Sequence, residues 1–265
     1  MHAQHVRRTR QSLFHVLAAS AALSVSTTGL AQEPATAASP HTFTANVGLI
    51  SNYVFRGMTY TQNRPAIQGG FDYAHASGLY LGVWGTNVSS KAINDASLET
   101  DFYGGYAWST GDWRFDAGLL QFYYPGNPRL PGTREKYNTL EAYGSVGWKI
   151  LTLKYSHTLT DFFGYNSASM GTNQGSSRGS GYIELNADVP LPYEVTLGLH
   201  IGRQFVRHYS AYNYTDWRVG VTKAFGEGWS ASFAYTGTNA DRDLWVADGK
   251  RLGKAHWIIG LKRTF

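Results

Sequence analysis

The chain has no cysteine, only 8 prolines and 3 methionines in 265 residues, and beyond its N-terminal segment no long apolar run. Without cysteine an exported protein has no disulfide framework, no thiolate nucleophile and no cysteine-ligated metal. No internal stretch approaches the roughly 20 apolar residues that a membrane helix needs. A membrane-spanning form of this chain must therefore be a closed barrel, the other fold that satisfies every backbone group in lipid.

Strong charge of one sign is also missing. The formal charge of +5 includes Arg7, Arg8 and Arg10. Without them the 23 basic residues become 20 against 18 acidic ones. That balance gives no case for nucleic acid as a partner. The three arginines open a segment with an apolar run from Leu13 and small residues Gly29 and Ala31, the pattern of a secretory signal peptide over 1–31. The competing reading, a single anchoring helix, is weakened by Ser20, Ser24, Ser26, Thr27 and Thr28 within the run. A linker over 32–42 and a barrel over 43–265 are expected to follow.

What is abundant is glycine (30), tyrosine (18) and tryptophan (8), a composition suited to strands, tight turns and interfacial aromatics. From Phe43 onward the sequence breaks into segments of roughly ten residues that alternate apolar with polar or small ones, the period of a membrane β-strand. The first sets Phe43, Ala45, Val47, Leu49, Tyr53 and Phe55 on one parity against Thr44, Asn46, Asn52 and Arg56. Later ones set Leu98, Phe102 and Trp108 against Glu99, Asp101 and Tyr103, and Leu140, Ala142 and Val146 against Glu141 and Tyr143. The segment "LYLGVWGTNV" is apolar on both faces and ambiguous. The final one, "AHWIIGLKRTF", ends in Phe265, the look of a last barrel strand carrying an assembly signal. About twelve strands result, so the expected fold is an all-β antiparallel up-and-down transmembrane barrel.

The connections alternate short ("HASG", "STGD", the corner at Lys149, "PLP", "GEG") with long ("RGMTYTQNRP", "PGNPRLPGTREK", "NADRDLWVADGKRLGK"). Short periplasmic turns and long external loops are the asymmetry of an outer-membrane barrel. A soluble sandwich shares the strand alternation but has no need of this loop asymmetry. The Gly/Ser-rich stretch "GYNSASMGTNQGSSRGSG" is expected to be a mobile external loop, with inward folding as the alternative. Aromatics form two bands, with Phe55, Phe205, Trp217 and Trp257 near long-loop ends and Trp108, Trp113, Trp148, Trp229 and Phe265 near short-turn ends, as two interfaces require. Outward Arg203, Lys223 and Arg263 lie near strand ends, where long side chains snorkel. His157 has outward parity inside its strand, where a polar group is costly.

The run "SNYVFRGMTYTQNRPAIQGGFDYAHASGLYLGVWGTNVSS" followed by "LETDFYGGY" resembles the TorF family of proteobacterial outer-membrane porins. Tyr53 to Gly57, Pro65 to Gly70, Gly78, Tyr80, Gly82 and Trp84 carry the likeness over about the first third of the mature chain. The resemblance implies an outer-membrane barrel and assigns no substrate.

Inward parity places Arg56, Arg114, Lys154, Arg218 and Lys262 in the lumen against Asp72, Glu99, Asp101, Asp116, Glu141, Glu184, Asp188 and Asp216. Such charges need water or one another. A wet, acid-leaning pore passing small hydrophilic solutes by passive diffusion is one reading; a paired polar plug is the other. Tyr103, Tyr143 and Tyr182, with Tyr80 and Trp84 if the ambiguous strand follows its neighbours, form either an aromatic track or simple lumen filling. No catalytic cycle, cofactor or metal is expected. A hydrolase would need a serine such as Ser230 or Ser232 beside inward His200 or His256, and no GxSxG motif occurs. Asp241, Asp243 and Asp248 lack the glycine and final glutamate of a calcium loop. Outer-membrane lipid and lipopolysaccharide, the barrel-assembly machinery and the solutes are the expected partners. A non-conducting barrel that binds a partner through Tyr60, Tyr209, Tyr212 and Trp245 is the remaining alternative.

Overall fold

A computed structural model of the chain describes residues 39–126 and 128–265. The expected leader and most of the expected linker lie outside the described residues. Twelve strands close into one barrel: β1 (His41–Ile50), then β4 (Ala66–His75), β5 (Leu79–Asn87), β6 (Leu98–Thr110), β7 (Trp113–Tyr123), β8 (Thr139–Trp148), β9 (Leu151–Thr158), β10 (Gly181–Leu191), β11 (Val195–Phe205), β12 (Tyr214–Gly226), β13 (Trp229–Thr238) and β16 (His256–Thr264). Two small hairpins, β2 (Val54–Phe55) with β3 (Met58–Thr59) and β14 (Val246–Ala247) with β15 (Lys250–Arg251), lie in loops.

Every barrel strand pairs antiparallel with its neighbours, and β16 meets β1 in register from Asn46↔Thr264 to Ile50↔Gly260. The Phe265 amide donates to the Ala45 carbonyl at 2.8 Å, so the last residue takes part in closure. Closure removes the free edges that an open sheet would leave in lipid. No helix among the described residues is long and apolar enough to cross a membrane, and these strands are the elements that can.

The period of two explains the wall. Phe43, Leu49, Ile67, Phe71, Leu81, Phe102, Leu119, Ile201, Phe233 and Ile259 all point outward and are exposed, a belt that only lipid would cover favourably. Its ends carry the two aromatic bands. Trp108 stacks on Phe115 at 5.1 Å near the short turns, and Tyr235 lies 4.6 Å from Trp257 toward the long loops. Arg263 sits over the Trp229 and Phe265 rings, and Arg203 over Phe205, so both use aromatic faces on their way to the interface. In β5 the ambiguity resolves as its neighbours suggest: Tyr80, Trp84 and Thr86 are buried inward, while Leu79 and Leu81 are exposed.

Three expectations change. His157 is the next-to-last residue of β9, hydrogen-bonded to the Tyr155 hydroxyl at 3.3 Å, so it lies at the barrel rim rather than at mid-depth. The stretch 159–180 is anchored at its two ends, where Phe162, Phe163, Ser177 and Ser180 are buried, while its middle, with Ala168, Gly171, Asn173 and Gln174, is exposed. Its short helix α1 (Ser167–Met170) is capped by the Asn166 side chain. Glycine and serine here satisfy the tight turns of a folded loop, which composition alone does not distinguish from a flexible one. Third, the first strand stops at Ile50. Tyr53, Phe55 and Arg56 therefore leave the wall, and Phe55 belongs to no lipid-facing band.

Candidate functional site: the lumen and the hairpin that crosses it

The alternation that makes the belt also lines the lumen. Toward the short turns the inward charges Asp72, Asp116, Lys154 and Lys262 are partly exposed, as are Glu184 and Arg218 in the halves of β10 and β12 that follow the long loops, and Arg114 and Asp188 are exposed at the rim. Arg114 there donates to the Lys149 carbonyl at 3.0 Å. Toward the long loops the inward groups are closed off, with Glu99 0%, Asp101 3% and Glu141 1% exposed.

The covering element is the β2–β3 hairpin. Its two turn residues, Arg56 and Gly57, have φ of 45° and 78°, the paired positive values of a tight primed turn. The hairpin leaves the wall between β1 and β4 and reaches its far side. A Cβ on Gly57 would stand 2.7 Å from the Asp216 side chain on β12 and 3.1 Å from that of Thr238 on β13. Glycine is needed here both for the backbone and for the approach. At the tip, Arg56 places Nη1 2.9 Å and Nη2 2.7 Å from the two carboxylate oxygens of Glu141. The same Nη1 lies 3.2 Å from Gln204 Oε1, and the guanidinium stacks 4.2 Å from the Tyr182 ring centre.

The hairpin's stem is fixed by polar and aromatic contacts. Asn52 Oδ1 accepts from Thr59 at 2.5 Å and Thr61 at 2.9 Å, and the Thr59 amide donates to the Leu252 carbonyl at 3.0 Å. Phe55, Tyr60, Phe122 and Phe163 meet edge to face or tilted. Glu99 accepts from Tyr53 at 2.5 Å and Tyr124 at 2.6 Å. Burial, and then the Glu99 charge, push both loop phenols well above the usual tyrosine range, so they stay protonated donors.

The lumenal tyrosines lie along the wall. Tyr103 covers Gly82, Tyr80 covers Gly105, Tyr143 covers Gly118 and Tyr182 covers Gly202. Missing Cβ atoms let each ring lie down on a neighbouring strand. Their hydroxyls face carboxylates: Tyr80 donates to Asp116 at 2.6 Å, Tyr103 to Asp72 and Tyr182 to Asp216 at 2.9 Å. His200 bonds to Asn186, Asp216 and Tyr182, with no serine among these partners. In the last long loop Asp241 accepts the amides of Asp243 and Leu244, while Asp248 pairs with Lys91. Among the described residues no group of three or more such side chains could hold a metal ion.

Asp101 is the outlier. It sits inward between Trp84 and Phe122 on the flanking strands, and its Oδ1 is buried without a hydrogen-bond partner. A buried carboxylate oxygen left without a partner costs stability. Asp101→Asn is expected to raise the unfolding midpoint of the barrel in micelles, by about 1 kcal/mol or more; an unchanged or lower midpoint would show that the charge is compensated.

Inward parity identified Glu99, Asp101, Glu141 and Asp216 as lumenal, but it treated Arg56 as a wall residue. The role of Gln204 and the Tyr53–Glu99–Tyr124 link were not foreseen. The Arg56–Gly57 pair between alternating residues was the available hairpin signal.

The fold matches solved outer-membrane structures. A KdgM porin aligns with a TM-score of 0.52 at 9% identity, covering 84% of this chain and 99% of that one. A KdgM porin in complex with disordered oligogalacturonate aligns with a TM-score of 0.51 at 8% identity, with the same coverage. At such identities the likeness is one of fold. No curated protein matches the chain. A family model matches residues 34–265, which contain the whole barrel, and the chain accordingly belongs to the family described as "Bacterial protein of unknown function (Gcw_chp)".

Proposed function

We propose that this protein is a porin-like outer-membrane channel for passive diffusion of small hydrophilic solutes, with a lumen that leans toward cations. The carrying observation is the closed barrel with an apolar exterior and a charged, partly exposed interior. Among the partly exposed lumenal charges, Asp72, Asp116 and Glu184 balance Lys154, Arg218 and Lys262. The surplus of carboxylates lies in Glu99, Asp101, Glu141 and Asp216, buried near the hairpin, and favours cations once the hairpin moves aside and water reaches them. Tyrosines that lie against glycines line the passage without crossing it. In this reading the short turns face the periplasm, the signal peptide is cleaved, and the barrel-assembly machinery inserts the chain beside lipopolysaccharide. The finer kinship with the TorF porins belongs to the same proposal and rests on the run from Tyr53 to Trp84.

The hairpin across the lumen favours one other reading, a permanently plugged barrel. Single-channel recording in planar bilayers, with the reversal potential under a salt gradient, separates the two. Discrete steps with a cation-leaning potential are expected from the state with the hairpin moved aside, where Glu99 and Asp101 meet water, and the Glu99→Gln, Asp101→Asn double variant should move that potential toward zero. Unchanged selectivity would remove these two residues from the conduction path. Silence of the folded wild type with conduction by a variant whose hairpin is released would establish the hairpin as the plug; silence of both would place the block in the lumenal side chains themselves.

A further inference from the structure

The contacts around Arg56 have the composition of a ligand site. Glu141 supplies both carboxylate oxygens to the guanidinium, at 2.9 and 2.7 Å. Gln204 adds an amide oxygen at 3.2 Å, and Tyr182 presents its ring face at 4.2 Å. The side chains of Arg56 and Glu141 are 8% and 1% exposed. Two parallel hydrogen bonds to a carboxylate plus an aromatic face match the planar fork of a guanidinium and suit an ammonium poorly. Two of the three groups are held by bonds that do not involve Arg56. Gln204 Nε2 donates to the Gly181 and Phe205 carbonyls. Tyr182 donates to Asp216, whose other oxygen is held by His200 at 3.0 Å. The wall thus holds Gln204 and Tyr182 in place around Glu141, which sits on barrel strand β8, and the group occupying the site arrives on a separate element, a hairpin whose paired strands are two residues each.

We propose that Glu141, Gln204 and Tyr182 form a guanidinium-binding site in the lumen, occupied in this structure by the chain's own Arg56. A small solute carrying a guanidinium group competes for it and releases the hairpin. This deepens the channel reading by naming a solute class, and it rests on that reading only for the transport step. A hairpin this short does not hold itself together in water, so losing the Arg56 anchor favours its departure.

The test is chemical rescue of the Arg56→Ala barrel, purified in detergent micelles and unfolded thermally. Methylguanidinium at millimolar concentration should restore most of the lost midpoint in a saturable way. Methylammonium and sodium at equal concentration should need at least about tenfold more to do the same, the preference expected for a forked over a point-charge partner. The Arg56→Ala, Glu141→Gln double variant should not respond. Equal rescue by methylammonium, absence of rescue, or rescue that survives loss of the Glu141 charge would each overturn the proposal. If Arg56→Ala fails to fold, Arg56→Met, which keeps much of the stem volume, undergoes the same titration. The readout is independent of conduction. Rescue in a barrel that is silent in bilayers would refute the channel and leave the site standing, while conduction without rescue would do the reverse.

Discussion

Arg56→Ala is expected to raise single-channel conductance several-fold while leaving the twelve-stranded wall closed. Removing one partner of a buried pair leaves the other charge exposed to the full cost of burial, about 3–5 kcal/mol. That cost would fall on Glu141, which is 1% exposed. The barrel can relieve it locally. No barrel strand pairs with β2 or β3, so the hairpin can leave and let water reach Glu141 without breaking the wall. The fall in global stability should then be smaller than the pair's full value, and protease cleavage within 51–65 should accelerate. Unchanged conductance with unchanged cleavage would show that the stem contacts of Asn52, Thr59 and Tyr60 hold the hairpin by themselves.

Gly105→Val should have the largest effect on the barrel itself. A Cβ there would lie 2.5 Å from the Tyr80 hydroxyl and would also collide with the Ala117 carbonyl of the paired strand. The ring cannot move far. Its hydroxyl donates to Asp116 at 2.6 Å and bonds to Tyr143, and Tyr143 in turn covers Gly118. Overpacking of this kind costs about 1–3 kcal/mol, and an uncovered Asp116 adds to it. Loss of the compact band on unheated gels, or a clear drop in unfolding midpoint, is the expected result. Gly105→Ala, whose Cβ alone already makes these collisions, is compared with Gly144→Ala on the outward face as the control. A Cβ at Gly144 would meet only the Asp116 carbonyl, at 3.9 Å, so its midpoint should stay at the wild-type value. Equal effects of the two substitutions would mean that glycine content, rather than tyrosine seating, is what the barrel requires.

Both outcomes turn on how different parts of the sequence encode position. The strands were legible because a side chain's direction in a strand depends only on parity, and one slip would reverse every face. This is why Glu99, Asp101, Glu141 and Asp216 could be assigned to the lumen one by one. Parity carries no information once the chain leaves the wall. Extending it from Leu49 through Tyr53 and Phe55 to Arg56 put these residues on a strand that ends at Ile50. The same limit applies to 159–180, where glycine and serine suggested an external loop and Phe163 packs on Phe55 and Phe122 with Phe162 edge-on behind it.

By itself the sequence determined the barrel, its inward and outward faces, its two aromatic bands and the alternation of short and long connections. All of these follow from a two-residue period and from turn residues, which act over a few neighbours along the chain. The tertiary structure alone decided that the first long loop crosses the lumen and that Arg56 meets Glu141, 85 residues away. It also decided that the lumenal tyrosines lie on glycines of adjoining strands and that one Asp101 oxygen is left without a hydrogen-bond partner. These are contacts across a closed ring, set by which strands face one another and how far a loop can reach, and no local pattern encodes either.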